Sequence, residues 1–475
     1  MTKIEELINR VTHRVNINLR ELNFDVRPYL DGINLKWQLS KFYAFYGITP
    51  HHKLSFKFIA SSLAGSYFLG KSKIDHSVLY KSDIRGDELK SKGTTYKCED
   101  YEIPVYDDEE IQITNSILIK TLVHNFSHDP ENLEFFNIKN TFSAHFANIH
   151  GSSVEGCFLG PFSTVDLTTL HDCVVGEFSY IQVEELAHKK VPPGTIRVRY
   201  KDKFDFNYQF PEKVLKKYID FDSQKLPKGI FIDFVENRKT DFENVFEVMN
   251  RENPVFIPDN TALDKYAVVR GQTRIGRNVL VAQRAYLEDA SLGKGANVQE
   301  NCYIINSHLE GYNITAHGAK IINARLGENI FVGFNSFVRG KVDKPLIIGD
   351  GSIVMPHTII DIEEPLVIPA GFIVWGYIKN AEDLKLNGIS LESFSKIKTD
   401  FKLGGMEFKG NGDIFINAFK ERIDHILHAN GAFFDIADES TGGHAQKNQN
   451  ISFNTIQPYP GGDLKGIYPT IEIKP

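Results

Sequence analysis

A few residues hold most of the chain's candidate chemistry. His145 and His150 stand five positions apart in SAHFANIHG, His124 closes the run TNSILIKTLVH, and Arg85, Asp87 and Glu88 fall together in VLYKSDIRGDE. Imidazole ligates borderline divalent metals and, without a metal, takes up protons near neutral pH, while carboxylates carry protons or orient imidazoles. The chain has 16 histidines, so one His-x4-His pair is weak evidence alone. The element that carries these residues decides whether they meet.

That element is read from a period of six. From Ile257 an aliphatic residue recurs at Leu263, Val269, Ile275, Val281 and Leu287; after a five-residue step to Leu292 it resumes at Val298, Ile304 and Leu309, then at Leu326, Val332, Val338, Ile348, Val354 and Ile360. Six is neither the helical period nor simple strand alternation, and it predicts about six coils of a three-faced solenoid with those side chains inward. Gly often follows the aliphatic residue, as in IGRN, LGKG, LGEN, VGFN and IGDG, where a corner with positive φ is expected. A shorter copy lies upstream, with LGPFST and VGEFSY as its clean repeats. In such a solenoid His145 and His150 fall on adjacent faces, so one chain alone does not bring both to a single metal.

The repeats resemble the hexapeptide-repeat superfamily of acyltransferases and γ-class carbonic anhydrases, and the resemblance implies left-handed parallel β-helices. The fold class expected is mainly β: two such β-helices with helical caps and linkers. The segments around Arg85-Gly86-Asp87, His124 and His145/His150 match the γ-class carbonic anhydrase pattern in the family's order. By that resemblance the protein is a homotrimer with metal sites between subunits, His124 and His150 coming from one chain and His145 from its neighbour. The ion implied is Zn²⁺, or Fe²⁺ or Co²⁺ in its place, and three neutral imidazoles leave a position for a water whose pKa falls to about 7. Arg85 and Asp87 would hold the trimer and orient the site, and Glu88 would shuttle protons. Two departures stand out. Leu118 and Ile119 occupy places where the family carries Gln and Asp, and the insertion NFSHDPENLEFFNIKN, with His128 in it, separates His124 from His145.

The second solenoid is more regular and chemically poorer. It keeps Asn297, Gln299, Glu300 and His317, but Ile305 and Ile322 stand where two ligands belong, and Glu288 stands near the place of the signature Arg. His308 and His317 are left as polar loop residues or as the base of an acyltransferase.

The expected organisation is an N-terminal helical cap (1–55), a first β-helix with the site motifs (56–200), a partly helical linker (201–254), a second β-helix with a degenerate site (255–378), and a capping helix with an extension (379–475). Lys plus Arg is 54 against 61 Asp plus Glu, a net charge of −7 without charge blocks, which argues against nucleic acid and for small-molecule or protein partners, a small-molecule substrate among them. Four cysteines without CxxC spacing, no signal-peptide core and no run of ~20 apolar residues predict a cytoplasmic chain without a membrane segment. The first functional expectation is a metal-bound hydroxide attacking CO₂ or another small carbonyl. The alternatives are an acyl-CoA-dependent acyltransferase, which would use one His as general base, and a non-catalytic assembly module.

Overall fold

The computed structural model describes residues 2–31, 38–49, 55–98, 101–247 and 255–473. Part of the expected linker, 248–254, and residues 1, 32–37 and 50–54 of the expected N-terminal cap lie outside them. The chain divides into two units: Met1–Thr195, Leu215–Gly229 and Ile451–Pro475 form the first, and Ile196–Val214 with Ile230–Asn450 the second.

In the first unit three parallel ladders wrap one bore. One ladder carries Phe68, Ile84, Val123, Ile149, Val165 and Ile181 in register, all buried inward. Successive side chains of a strand point to opposite faces, so the flanking residues of each three-residue strand point out of the bore. The solenoid begins at the strand Ala44–Ile48, inside the expected N-terminal cap, which pairs parallel to Tyr67–Asp75. The C-terminal residues return to this unit: Ser452–Ile456 pairs antiparallel with Ala44–Ile48, and Ile471–Ile473 with Ser55–Ile59. Helix Lys3–Leu19 packs Leu7, Val11 and Val15 into an apolar cluster with Ile117, Phe142 and Phe158.

At one corner a short side chain of the preceding coil accepts a backbone N–H of the next. Ser77 N donates to Ser61 Oγ (3.1 Å), Ser116 N to Ser77 Oγ (3.1 Å), Thr141 N to Ser116 Oγ (3.2 Å) and Cys173 N to Cys157 Sγ (3.3 Å). Both thiols are therefore structural rungs, buried and free.

The second unit repeats the plan with three sheets of eight, seven and six strands. Its bore holds Val269, Ile275, Val281, Leu287, Val298, Ile304, Ile321, Val332, Val354 and Ile360, as the six-residue period requires. Helix Gly412–Ala429 is N-capped by Asn411, whose side chain accepts from Asp413 N and Ile414 N, and its Phe415 stacks on Phe206 (5.6 Å). The expected capping helix after Val374 is two short helices, Ala381–Leu386 and Leu391–Ser395, capped by Asn380 and Ser390.

The repeat glycines correct the sequence reading. Positive φ lies two residues after each of them, at Asn278, Gly295, Asn329, Asn335 and Gly351. The glycine itself is required by close approach of the next coil: a Cβ on Gly293 would stand 1.7 Å from the Glu310 carbonyl oxygen, and one on Gly333 2.4 Å from Pro356 N. Among the described residues no helix is long and apolar enough to cross a membrane.

Candidate functional site

On one ladder of the first unit the outward residues Arg85, His124, His150 and Asp166 sit in register on four consecutive coils. All four are buried. The two imidazoles lie with centroids 5.1 Å apart and planes at 76°. His150 Nδ1 lies 2.8 Å from Asp166 Oδ1, and Tyr180, one coil further, donates its hydroxyl to Asp166 Oδ2. Tyr180 also lies 2.9 Å from Gln182 Oε1. A carboxylate on Nδ1 fixes the ring and its tautomer, placing the proton on Nδ1 and the lone pair on Nε2.

On the other side, His124 Nε2 lies 3.1 Å from Glu88 Oε1. Arg85 is held by its neighbour: Nε lies 3.0 Å and one terminal nitrogen 2.5 Å from the two Asp87 oxygens, a bidentate pair with both side chains buried. Gly70 makes room for this strand, because a Cβ there would stand 2.3 Å from the Gly86 carbonyl carbon.

Of the residues singled out in the sequence, Arg85, Asp87, Glu88, His124 and His150 are thus on one face. His145 is apart from them. It lies half-buried on the turn before the strand Asn148–His150, its ring 6.3 Å from that of Phe146. Leu118 and Ile119 are buried apolar residues of a different ladder, Leu118 in the bore and Ile119 outward in the cluster with helix Lys3–Leu19. The orienting carboxylate comes from Asp166 instead.

Sequence reading missed Asp166, Tyr180 and Phe126. A signal existed for the first: LGPFST and VGEFSY start 16 residues apart, and Asp166 follows His150 by the same 16. Phe126 ends the His124 strand, where the pairing slips at a bulge, and its ring lies 5.1 Å from His150 and 6.3 Å from His124.

Were a divalent ion to bind here, His124 and His150 would be its two nitrogen donors, with Glu88 beside one and Asp166 orienting the other, a set whose chemistry fits Zn²⁺ or a similar ion. In the second unit the equivalent register line reads Glu288, Ile305, Ile322 and Arg339, with no imidazole to offer. His317 there is fully buried with Nδ1 2.6 Å from Glu300 Oε2, and its ring lies 5.3 Å from that of Phe334.

Residues 101–223 match the family model described as hexapeptide repeat including loop. A crystal structure from Desulfovibrio desulfuricans G20, provisionally assigned as an acetyltransferase, is 52% identical over 100% of this chain and 99% of its own, with a TM-score of 0.93. A Bacillus cereus chain with a similar provisional assignment is 10% identical over 34% of this chain and 91% of its own; its TM-score of 0.14 carries no argument. No curated protein matches.

Proposed function

We propose that this chain, which belongs to the hexapeptide-repeat family of left-handed β-helix proteins, is an acyltransferase that moves an acetyl group from a thioester to a hydroxyl or amine acceptor. The observation that carries the reading is His150 held by Asp166 at 2.8 Å. With the proton on Nδ1, Nε2 takes the acceptor's proton as its oxygen or nitrogen attacks the thioester carbonyl. The tetrahedral adduct collapses, the thiolate leaves, and the imidazolium returns the proton to it. Asp166 stabilises the imidazolium between these steps, and Tyr180 keeps Asp166 from swinging away. Support from outside the site is the full-length similarity to the Desulfovibrio protein, which is provisionally assigned to this chemistry.

His150 is a better base than His317. Its carboxylate makes a well-formed hydrogen bond and is itself held by a hydroxyl, and about a tenth of its side chain stays exposed, against 1% for His317.

A second reading is favoured by the two imidazoles facing each other from neighbouring coils at 5.1 Å. There His124 and His150 hold a divalent metal, which when bound supplies an activated water, and His145 of another subunit completes the ligands. That reading requires the homotrimer, and light scattering near 54 kDa would remove it.

The deciding experiment measures thiol release from an acetyl thioester across a panel of hydroxyl and amine acceptors, with metal analysis of the same sample. His150→Gln is expected to lose about 100-fold or more while leaving the fold intact. Transfer unaffected by His150→Gln would overturn the acyl-transfer reading. Stoichiometric zinc with no transfer would favour the metal reading.

A further inference from the structure

The insertion after His124 is built as a closed loop. Glu109, fully buried, accepts from Lys90 N (3.0 Å), Glu134 N (2.9 Å) and the Ser127 hydroxyl, and pairs with Lys90 Nζ (3.3 Å). Lys90 Nζ reaches on to the carbonyls of Asp129 and Asn132 (2.7 Å to the latter), so the turn at the end of the loop is tied down. Its neck is closed separately. Glu134 accepts from His128 N (2.7 Å) and Asp129 N (3.0 Å), and its other oxygen lies 2.9 Å from His128 Nε2.

His128 is the part of this arrangement that looks both ways. Its Nδ1 lies 3.3 Å from the Phe126 carbonyl and its ring 5.7 Å from that of Phe126, with Phe136 behind it at 6.1 Å. Phe126 in turn touches both imidazoles and lies over Gly151, where a Cβ would come 3.2 Å from its ring.

We propose that Phe126 is a positioning residue for the His124–His150 pair and that the His128–Glu134 ion pair latches it in place. The proposal rests on the reading that this histidine pair does the chemistry. The charged and polar groups facing the latch are Glu134 and Asp129 from the loop and the Phe126 carbonyl, with Lys90 held by the carbonyls of Asp129 and Asn132. The charges agree with the geometry. Burial works against charge on His128, but the Glu134 carboxylate, the Phe126 carbonyl and Asp129 outweigh it and raise its pKa above the usual 6.5. Burial raises Glu134, but His128 and the two backbone N–H groups outweigh it and lower it. The pair is therefore fully formed below the ordinary pKa of histidine and is lost as pH rises through the raised value.

The test uses the full chain and needs no substrate. Hydrogen exchange at about pH 6 and about pH 8.5, corrected for the intrinsic rate, is expected to show the amides of His128 and Asp129 protected at the lower pH and several-fold more open at the higher. His128→Gln removes that difference, leaving the amides open at both. Ethoxyformylation of His150, read by peptide mass and normalised to the exposed His188, is expected to rise several-fold in Phe126→Ala and to stay near wild type in Phe126→Leu, which also controls for folding. Equal exchange at the two pH values in the wild type would overturn the latch, and His150 reactivity unmoved by Phe126→Ala would overturn the positioning role. Neither readout depends on acetyl transfer, so failure of the functional reading shows separately.

Discussion

Replacing Asp166 by Asn changes one oxygen to an NH₂ and nothing in shape, and two arrangements of the new amide are available. In the first, the amide oxygen faces Tyr180, which goes on donating to it, and the NH₂ faces His150 Nδ1. Nδ1 must then accept, the ring proton moves to Nε2, and the lone pair that takes the acceptor's proton is gone. That costs the general-base contribution, about 100- to 10,000-fold. In the second, the amide oxygen faces Nδ1, and Tyr180 turns its hydroxyl proton to Gln182 Oε1, already 2.9 Å away. The tautomer survives, but the imidazolium loses its counter-charge. A hydrogen bond to a charged group is worth about 1.5–3 kcal/mol, which is roughly tenfold to 150-fold at 1.36 kcal/mol per decade. Both arrangements predict a loss of at least about tenfold in thiol release from the acetyl thioester, with circular dichroism unchanged. Nitrogen chemical shifts of His150 then tell the two apart. Activity of Asp166→Asn within threefold of wild type would falsify the assignment of His150 as a base held by Asp166.

Further predictions concern the frame around the site. Lys90→Met leaves Glu109 buried without its cation, a loss of about 3–5 kcal/mol toward the low end because three donors remain; Glu109→Gln in the same background recovers most of it, as melting would record. Ile304→Ala, between Leu287 and Ile321 in the bore of the second unit, costs about 2–5 kcal/mol in a urea titration, and Ile304→Val only about 0.5–1.5. Purified protein loaded with zinc alone is expected to lose most of any bound metal in the His124→Ala, His150→Ala double variant, and full occupancy there would exclude both as ligands.

Reading the repeats worked because a six-residue period has one physical meaning: a side chain that must fill a bore three times per coil. The same logic placed Glu288, Ile305 and Ile322 on one line of the second unit, matching Arg85, His124 and His150 of the first. It misread the repeat glycines, since φ is a property of one residue but crowding by Glu310 or Pro356 is a property of the next coil. It missed the start of the solenoid at Ala44 and the return of Ser452–Ile456 and Ile471–Ile473, because strands that close a sheet edge need only its free N–H and C=O groups and carry no period.

The sequence by itself determined the bore-filling residues, the coil spacing and the run of histidines, all of which are local and repeat. Only the tertiary structure decided that Asp166 and Tyr180 orient His150, that Glu88 faces His124, that His145 stands on a corner, and that a loop anchored on Glu109 carries Phe126 between the imidazoles and His128. Those relations join side chains of different coils and of an aperiodic insertion, and which of them meet depends on how the insertion folds back over the coils, which only the folded chain sets.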